Sequence, residues 1–169
     1  PVTITSYKIS RKNAFVALAN LSDAFTRMLS EPKRKQKNAK PLYQFVVLNH
    51  MLTSHIATLS WYVKPLSEKY ASQDFTPLIH NTISKLDDAE KSINNLPVQN
   101  AVAENLPPNA LQQRVETLLE TRRTELQQGI TESETRKMLS EIKPITDQFN
   151  FIANIATDIR KISAQWTEV

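Results

Sequence analysis

Residues Ser6–Lys40 read SYKISRKNAFVALANLSDAFTRMLSEPKRKQKNAK. A serine able to cap a helix precedes a basic entry. Ala14, Leu18, Leu21, Phe25, Met28 and Leu29 then recur at helical spacing, which predicts an amphipathic helix over Tyr7–Ser30. Ala14, Ala17, Ala19 and Ala24 would let a neighbour approach closely. Pro32 biases Glu31 away from helical geometry and ends the element. A cation-rich loop follows, and the later helices are expected to pack against this first one.

The same periodicity continues outward. Pro41 suits the first turn of a second helix to about Lys64, with Phe45, Leu48, Leu52, Ile56, Leu59 and Val63 on one face. Tyr43, Val47, His50 and Trp61 lie elsewhere on it, as a helix between two neighbours requires. Pro65 either kinks this helix or allows one more turn. A third helix, Phe75–Leu96 behind an Asp74 cap, uses Leu78 or Ile79, then Ile83, Leu86, Ile93 and Leu96. Asp87, Asp88, Glu90 and Lys91 are expected to face water. Residues 94–109, with three prolines and five asparagines, read as a long polar connection. Leu111, Val115, Leu118, Leu119 and Leu126 define a fourth helix from Ala110 to Gln128, closed by Gly129. The last helix starts at Thr131 or Ser133. Its stripe is Met138, Ile142, Ile145, Phe149, Ile152, Ala156 and Ile159, a coiled-coil-like seam that serves as core or as an oligomer contact. Pro144 should kink it. These residues predict an all-α fold, an elongated up-and-down bundle of about five helices in one domain, 1–169.

Composition narrows the functions. The 169 residues include one glycine and no cysteine. One glycine excludes glycine-rich phosphate loops, and the missing cysteines exclude disulfides, thiolate catalysis and cysteine zinc sites. No apolar run approaches the ~18 residues of a membrane span, which predicts a soluble chain. His50 and His55 are five apart, and zinc pairs on helices sit three or four apart. A di-metal bundle needs Glu-x-x-His motifs, but Val47, Leu52 and Pro77 stand three residues before the three histidines. No metal, cofactor or catalytic residue is predicted. Tyr43, Trp61, Tyr62 and Tyr70 either pack at helix ends or line a pocket for an aromatic ligand.

The net charge of +4 is unevenly placed. Lys33, Arg34, Lys35, Lys37 and Lys40 lie together with no acid, and without them 16 of the 21 basic residues face 17 acidic ones. The loop is either a contact for anions, headgroups or a partner chain, or a solvated connection. Without interleaved aromatics it does not fit nucleic acid.

Ser6–Lys40 also resembles a known family. Tyr7, Arg11, Lys12, Ala14, Ala17, Ala24, Met28, Leu29, Glu31 and Pro32 match the segment after the second membrane bundle of the fusaric acid resistance-like (FUSC) inner-membrane proteins, most nearly their YccS/YhfK branch. There a basic tyrosine-arginine segment leads into an Ala-rich helix and a Met-Leu-x-Glu-Pro stop. LNHMLTSHIATL (Leu48–Leu59) and IANIATDIRKI (Ile152–Ile162) match more weakly, so about half the chain is covered. The resemblance implies a cytoplasmic regulatory or assembly domain, cut from an inner-membrane efflux transporter for aromatic acid-like compounds. It implies no catalytic residues. Its partners would be its own transmembrane region, upstream of the chain, and further copies of itself. Arg11 and Lys12 would then be membrane-proximal, in keeping with the positive-inside rule. A first helix dropping straight from the membrane would hold the Lys33–Lys40 loop ~35–40 Å below it. A tilted one would bring the loop back to the headgroups. The competing expectations are a free-standing helical adaptor and an aromatic-acid sensor.

Overall fold

The computed structural model describes residues 4–66, 75–98 and 110–166. Five α-helices account for most of them: α1 (Ile4–Ser30), α2 (Ala39–Leu66), α3 (Thr76–Ile93), α4 (Ala110–Gln127) and α5 (Glu134–Ala164), with a 3-10 turn at Lys33–Lys35. No strand occurs among the described residues. Val63, Tyr70, Asp74, Leu111 and positions 99–109, to which the sequence assigned roles, lie outside the described residues or side chains.

The spine is α5, ~46 Å long at 1.5 Å per residue. Ile142, Ile145, Phe149, Ile152, Ala156 and Ile159 are all buried, so the predicted seam is core. Ile155 is buried with them, while Phe151 is half exposed. Ser133 caps the start, its Oγ accepting from the Arg136 N–H at 3.2 Å. The helix continues as one element through Pro144.

Three helices lean on that spine, and α1 does not. α2 runs antiparallel to it: Phe45 packs on Trp166 with ring centroids 4.9 Å apart, and His55 stacks on Phe151 at 5.1 Å. α3 runs parallel to it: Phe75 stacks on Phe149 at 4.8 Å, and the Lys85 Nζ donates to Thr157 Oγ1 at 2.8 Å. α4 is antiparallel to the N-terminal part, where Val115 and Ile142 form a small core with Phe75, Leu118 and Leu139. The larger core unites Leu52, Ala89, Ile152, Ile155 and Ile159. α1 packs antiparallel on α2, through Phe25 against Tyr43 at 5.9 Å and the Ser22 Oγ to His50 Nε2 contact at 2.9 Å. Successive helices thus alternate in direction, as an up-and-down bundle requires.

Three sequence expectations need correction. The helices gather around the last helix rather than the first. On α1, Leu18 is buried, Leu21, Phe25 and Met28 are half-buried, and Ala14, Ala17, Ala19, Ala24 and Leu29 are exposed. Among the described residues α1 packs chiefly on one helix, α2, so its exposed alanines admit no second close neighbour. The third correction concerns α3, which turns a different face to the core. Ile79, Ile83, Ile93 and Leu96 are exposed, while Thr82, Asp88, Ala89 and Ser92 are buried.

The reason for that rotation is steric. Ala89 on α3 packs with Ile152, Ile155 and Ile159 on α5, and two helices approach closely only where side chains are short. The buried hydroxyls bring their own partners: Thr82 Oγ1 donates to the Leu78 carbonyl at 2.8 Å, and Ser92 Oγ donates to the Asp88 carbonyl at 3.0 Å. Asp88, only 5% exposed, faces Arg160 at 3.8 Å. A lone carboxylate would be expensive to bury, so that cation offsets the cost of placing Asp88 inward.

Two substitutions check this packing. Ile152→Ala should cost about 2–5 kcal/mol, through lost burial and the cavity left behind. Ala156→Leu should cost about 1–3 kcal/mol by forcing α3 off the spine. Urea denaturation measures both, and values near zero would contradict the assigned core.

Candidate functional site: a basic surface along the first helix and its loop

The loop between α1 and α2 is built, not slack. Pro32 is extended (φ −55°, ψ 139°), and Lys33–Lys35 form one 3-10 turn. The Lys35 N–H donates to the Pro32 carbonyl at 2.8 Å. The Gln36 amide Nε2 donates to the carbonyls of Leu29 at 2.9 Å and Glu31 at 2.7 Å. It thereby satisfies two carbonyls at the helix end that would otherwise need water. Asn38 adopts φ +54°, a left-handed conformation that asparagine tolerates, and turns the chain into α2.

This frame presents Lys33, Arg34, Lys35, Lys37 and Lys40, all exposed. None has an ion-pair partner among the described residues. Arg11 and Lys12 are brought to the exposed N-terminal half of α1, where every residue from Thr5 to Ala17 is exposed. The Arg11 guanidinium lies over the Phe15 ring, 5.6 Å from its centroid. The structure therefore places Arg11 and Lys12 on α1, Lys33, Arg34, Lys35 and Lys37 in the loop and Lys40 in the first turn of α2, so the two basic groups lie near opposite ends of α1, a helix ~40 Å long.

The other candidates are dispersed. His50 contacts Ser22, and His55 Nδ1 lies 2.8 Å from Gln148 Oε1, so both act as packing groups. No cluster of three or more metal-ligating side chains occurs among the described residues. Tyr43, Trp61 and Tyr62 line no common pocket: Tyr43 leans on Phe25, and Trp61, 81% exposed, sits five helical turns away. Tyr43 does border an open groove between α2 and α5 with Val47, Asp158, Lys161, Ile162 and Gln165.

Sequence reasoning missed one polar network, at the α4–α5 turn. Glu125 accepts from Ser133 Oγ at 2.5 Å, Thr135 Oγ1 at 2.7 Å and Arg122 at 3.1 Å. Arg122 also donates to the carbonyls of Ile130 at 3.1 Å and Thr131 at 2.8 Å. The expected glycine stop holds: Gly129 has φ +76°, and Ile130 N–H reaches back to the Glu125 carbonyl at 2.9 Å. Hydrogen bonds from Ser133 and Thr135, then Arg122, hold the Glu125 carboxyl below its ordinary 4.5. Spacing along α4 carries no sign of this network, and only the folded-back turn shows the partners of Arg122 and Glu125. The network is a structural clasp between α4 and the start of α5.

No family model, curated protein or solved structure matches the chain. Among the described residues, no helix is long and apolar enough to cross a membrane.

The clasp gives a signed pH dependence. A carboxyl with a lowered folded-state pKa contributes stability above its unfolded value, lost as pH falls through the folded one. Glu125→Gln should lower the melting temperature at pH 7, and the gap from the parent chain should close as pH drops below about 4.5. A gap independent of pH would show that the charge on Glu125 does not matter.

Proposed function

We propose that the chain is a regulatory or assembly module of a fusaric acid resistance-like inner-membrane efflux protein, working at the cytoplasmic face and catalysing no reaction itself. The carrying observation is the coincidence of motif and structure along α1. The motif residues Tyr7, Arg11 and Lys12 fall where the helix stands clear of the bundle. Glu31 and Pro32 fall where the helix stops, at the end that Gln36 closes. A helix anchored to α2 by its C-terminal half and bare on its N-terminal half suits an element that enters the domain from elsewhere. Arg11 and Lys12 at that entry suit the cytoplasmic side of a membrane. On this reading the transported compounds are small aromatic acid-like anions, handled by the membrane part.

The parent reading frame tests this. Apolar runs of ~20 residues ending within a few residues of Tyr7 are expected. A start codon close to Pro1 with no apolar run upstream would overturn the reading in favour of a free-standing helical adaptor.

A further inference from the structure

The charge of this chain is concentrated on its least integrated element. Residues 4–40 hold nine basic side chains (Lys8, Arg11, Lys12, Arg27 and the five loop cations) against two acidic ones, Asp23 and Glu31. The other residues hold 12 basic against 15 acidic side chains. One edge of a nearly neutral bundle is thus strongly positive.

That edge also has a defined shape. Leu18, Leu21 and Phe25 mark the side of α1 that meets α2. At 100° per residue, Ile9 and Val16 lie on the opposite side, seven residues or two turns apart. They are 55% and 50% exposed. Arg27 shares their side, Lys12 and then Lys8 border it along one edge, and all three are exposed. Asp23 is the one acid on the strip. The basic 3-10 turn follows at the C-terminal end of α1, where Gln36 bonds back to the carbonyls of Leu29 and Glu31. The result is a helix face with two exposed aliphatic residues bordered by cations.

We infer that this face lies flat on an anionic lipid surface, with Ile9 and Val16 entering the headgroup layer and the cations contacting phosphates around them. Apolar side chains bordered by lysine and arginine on one helix face are what an interfacial helix requires. Unpaired cations near an anionic leaflet are each favourable, and their effects accumulate. A single-stranded nucleic acid would instead call for a groove and rings for the bases to stack on, and the Ile9–Val16 strip offers neither. Flat binding brings both ends of α1, Lys12 and Lys33–Lys40, to one plane, which a helix standing upright cannot do. The inference does not rest on the efflux reading, since a free-standing chain would bind in the same way.

The test is co-sedimentation of the 169-residue chain with vesicles of phosphatidylcholine, alone or with about a third phosphatidylglycerol. Binding is expected only with the anionic lipid, weakening as salt rises above about 100 mM. The triple substitution K33E/R34E/K35E touches only exposed side chains. It should keep the helical circular dichroism signal and weaken binding by at least about a hundredfold. I9S/V16S should weaken it by about tenfold. Equal binding to both vesicle types, or no binding to either, would overturn the proposal. So would retention of vesicle binding by the triple variant. Vesicle binding unchanged in I9S/V16S would overturn the flat orientation. Binding of soluble polyphosphate without vesicle binding would assign the face to free phosphates instead.

Discussion

The bundle depends on the burial of one side of α5. Ile142, Ile145, Phe149, Ile152, Ile155, Ala156 and Ile159 are removed from water by α2, α3 and α4, which reach one another mainly through that helix. Burying an aliphatic side chain contributes about 1.5–3 kcal/mol, so this one seam outweighs any polar contact in the molecule. It also sets a hierarchy. Helices packed on α5 share its stabilisation, whereas among the described residues α1 is supported chiefly by α2.

That hierarchy explains where polar groups sit. The tight α3–α5 contact uses short side chains whose hydroxyls bond back four residues, so those hydroxyls are satisfied within their own helices. Asp88 is tolerated there because Arg160 comes from the opposing helix. At the other end of the spine, Glu125 and Arg122 tie α4 to the start of α5, where apolar contact is thinner. The loop cations Lys33, Arg34, Lys35 and Lys37, by contrast, have no ion-pair partner among the described residues.

Much of the architecture was legible because large aliphatics at three- and four-residue spacing mark a core face. The spine from Ile142 to Ile159 was read in this way, as were the helix stops at Pro32 and Gly129. Aliphatic spacing misleads where packing is carried by small residues. On α3 the aliphatic pattern pointed to Ile79 and Ile83, yet Ala89, Thr82 and Ser92 pack inward, because close approach rewards shortness and period counting rewards bulk. It also ranked α1 as the organiser, since a regular stripe shows that a helix has a partner but not how many. The basic loop was visible as composition. Its rigidity was not, because Gln36 reaches back seven residues to cap a helix, a contact with no motif of its own. Nor could the sequence show that the side of α1 bearing Ile9 and Val16 is bare, since that follows from which helices pack where.

Native-state hydrogen exchange tests the central claim, that α5 holds the fold and α1 is peripheral. Amides from Ile145 to Ile159 should exchange only through global unfolding, while those from Thr5 to Ala17 should exchange faster by roughly three orders of magnitude or more. Protection of Thr5–Ala17 equal to that of α5, in the isolated chain, would contradict the account and make α1 an integral member of the core.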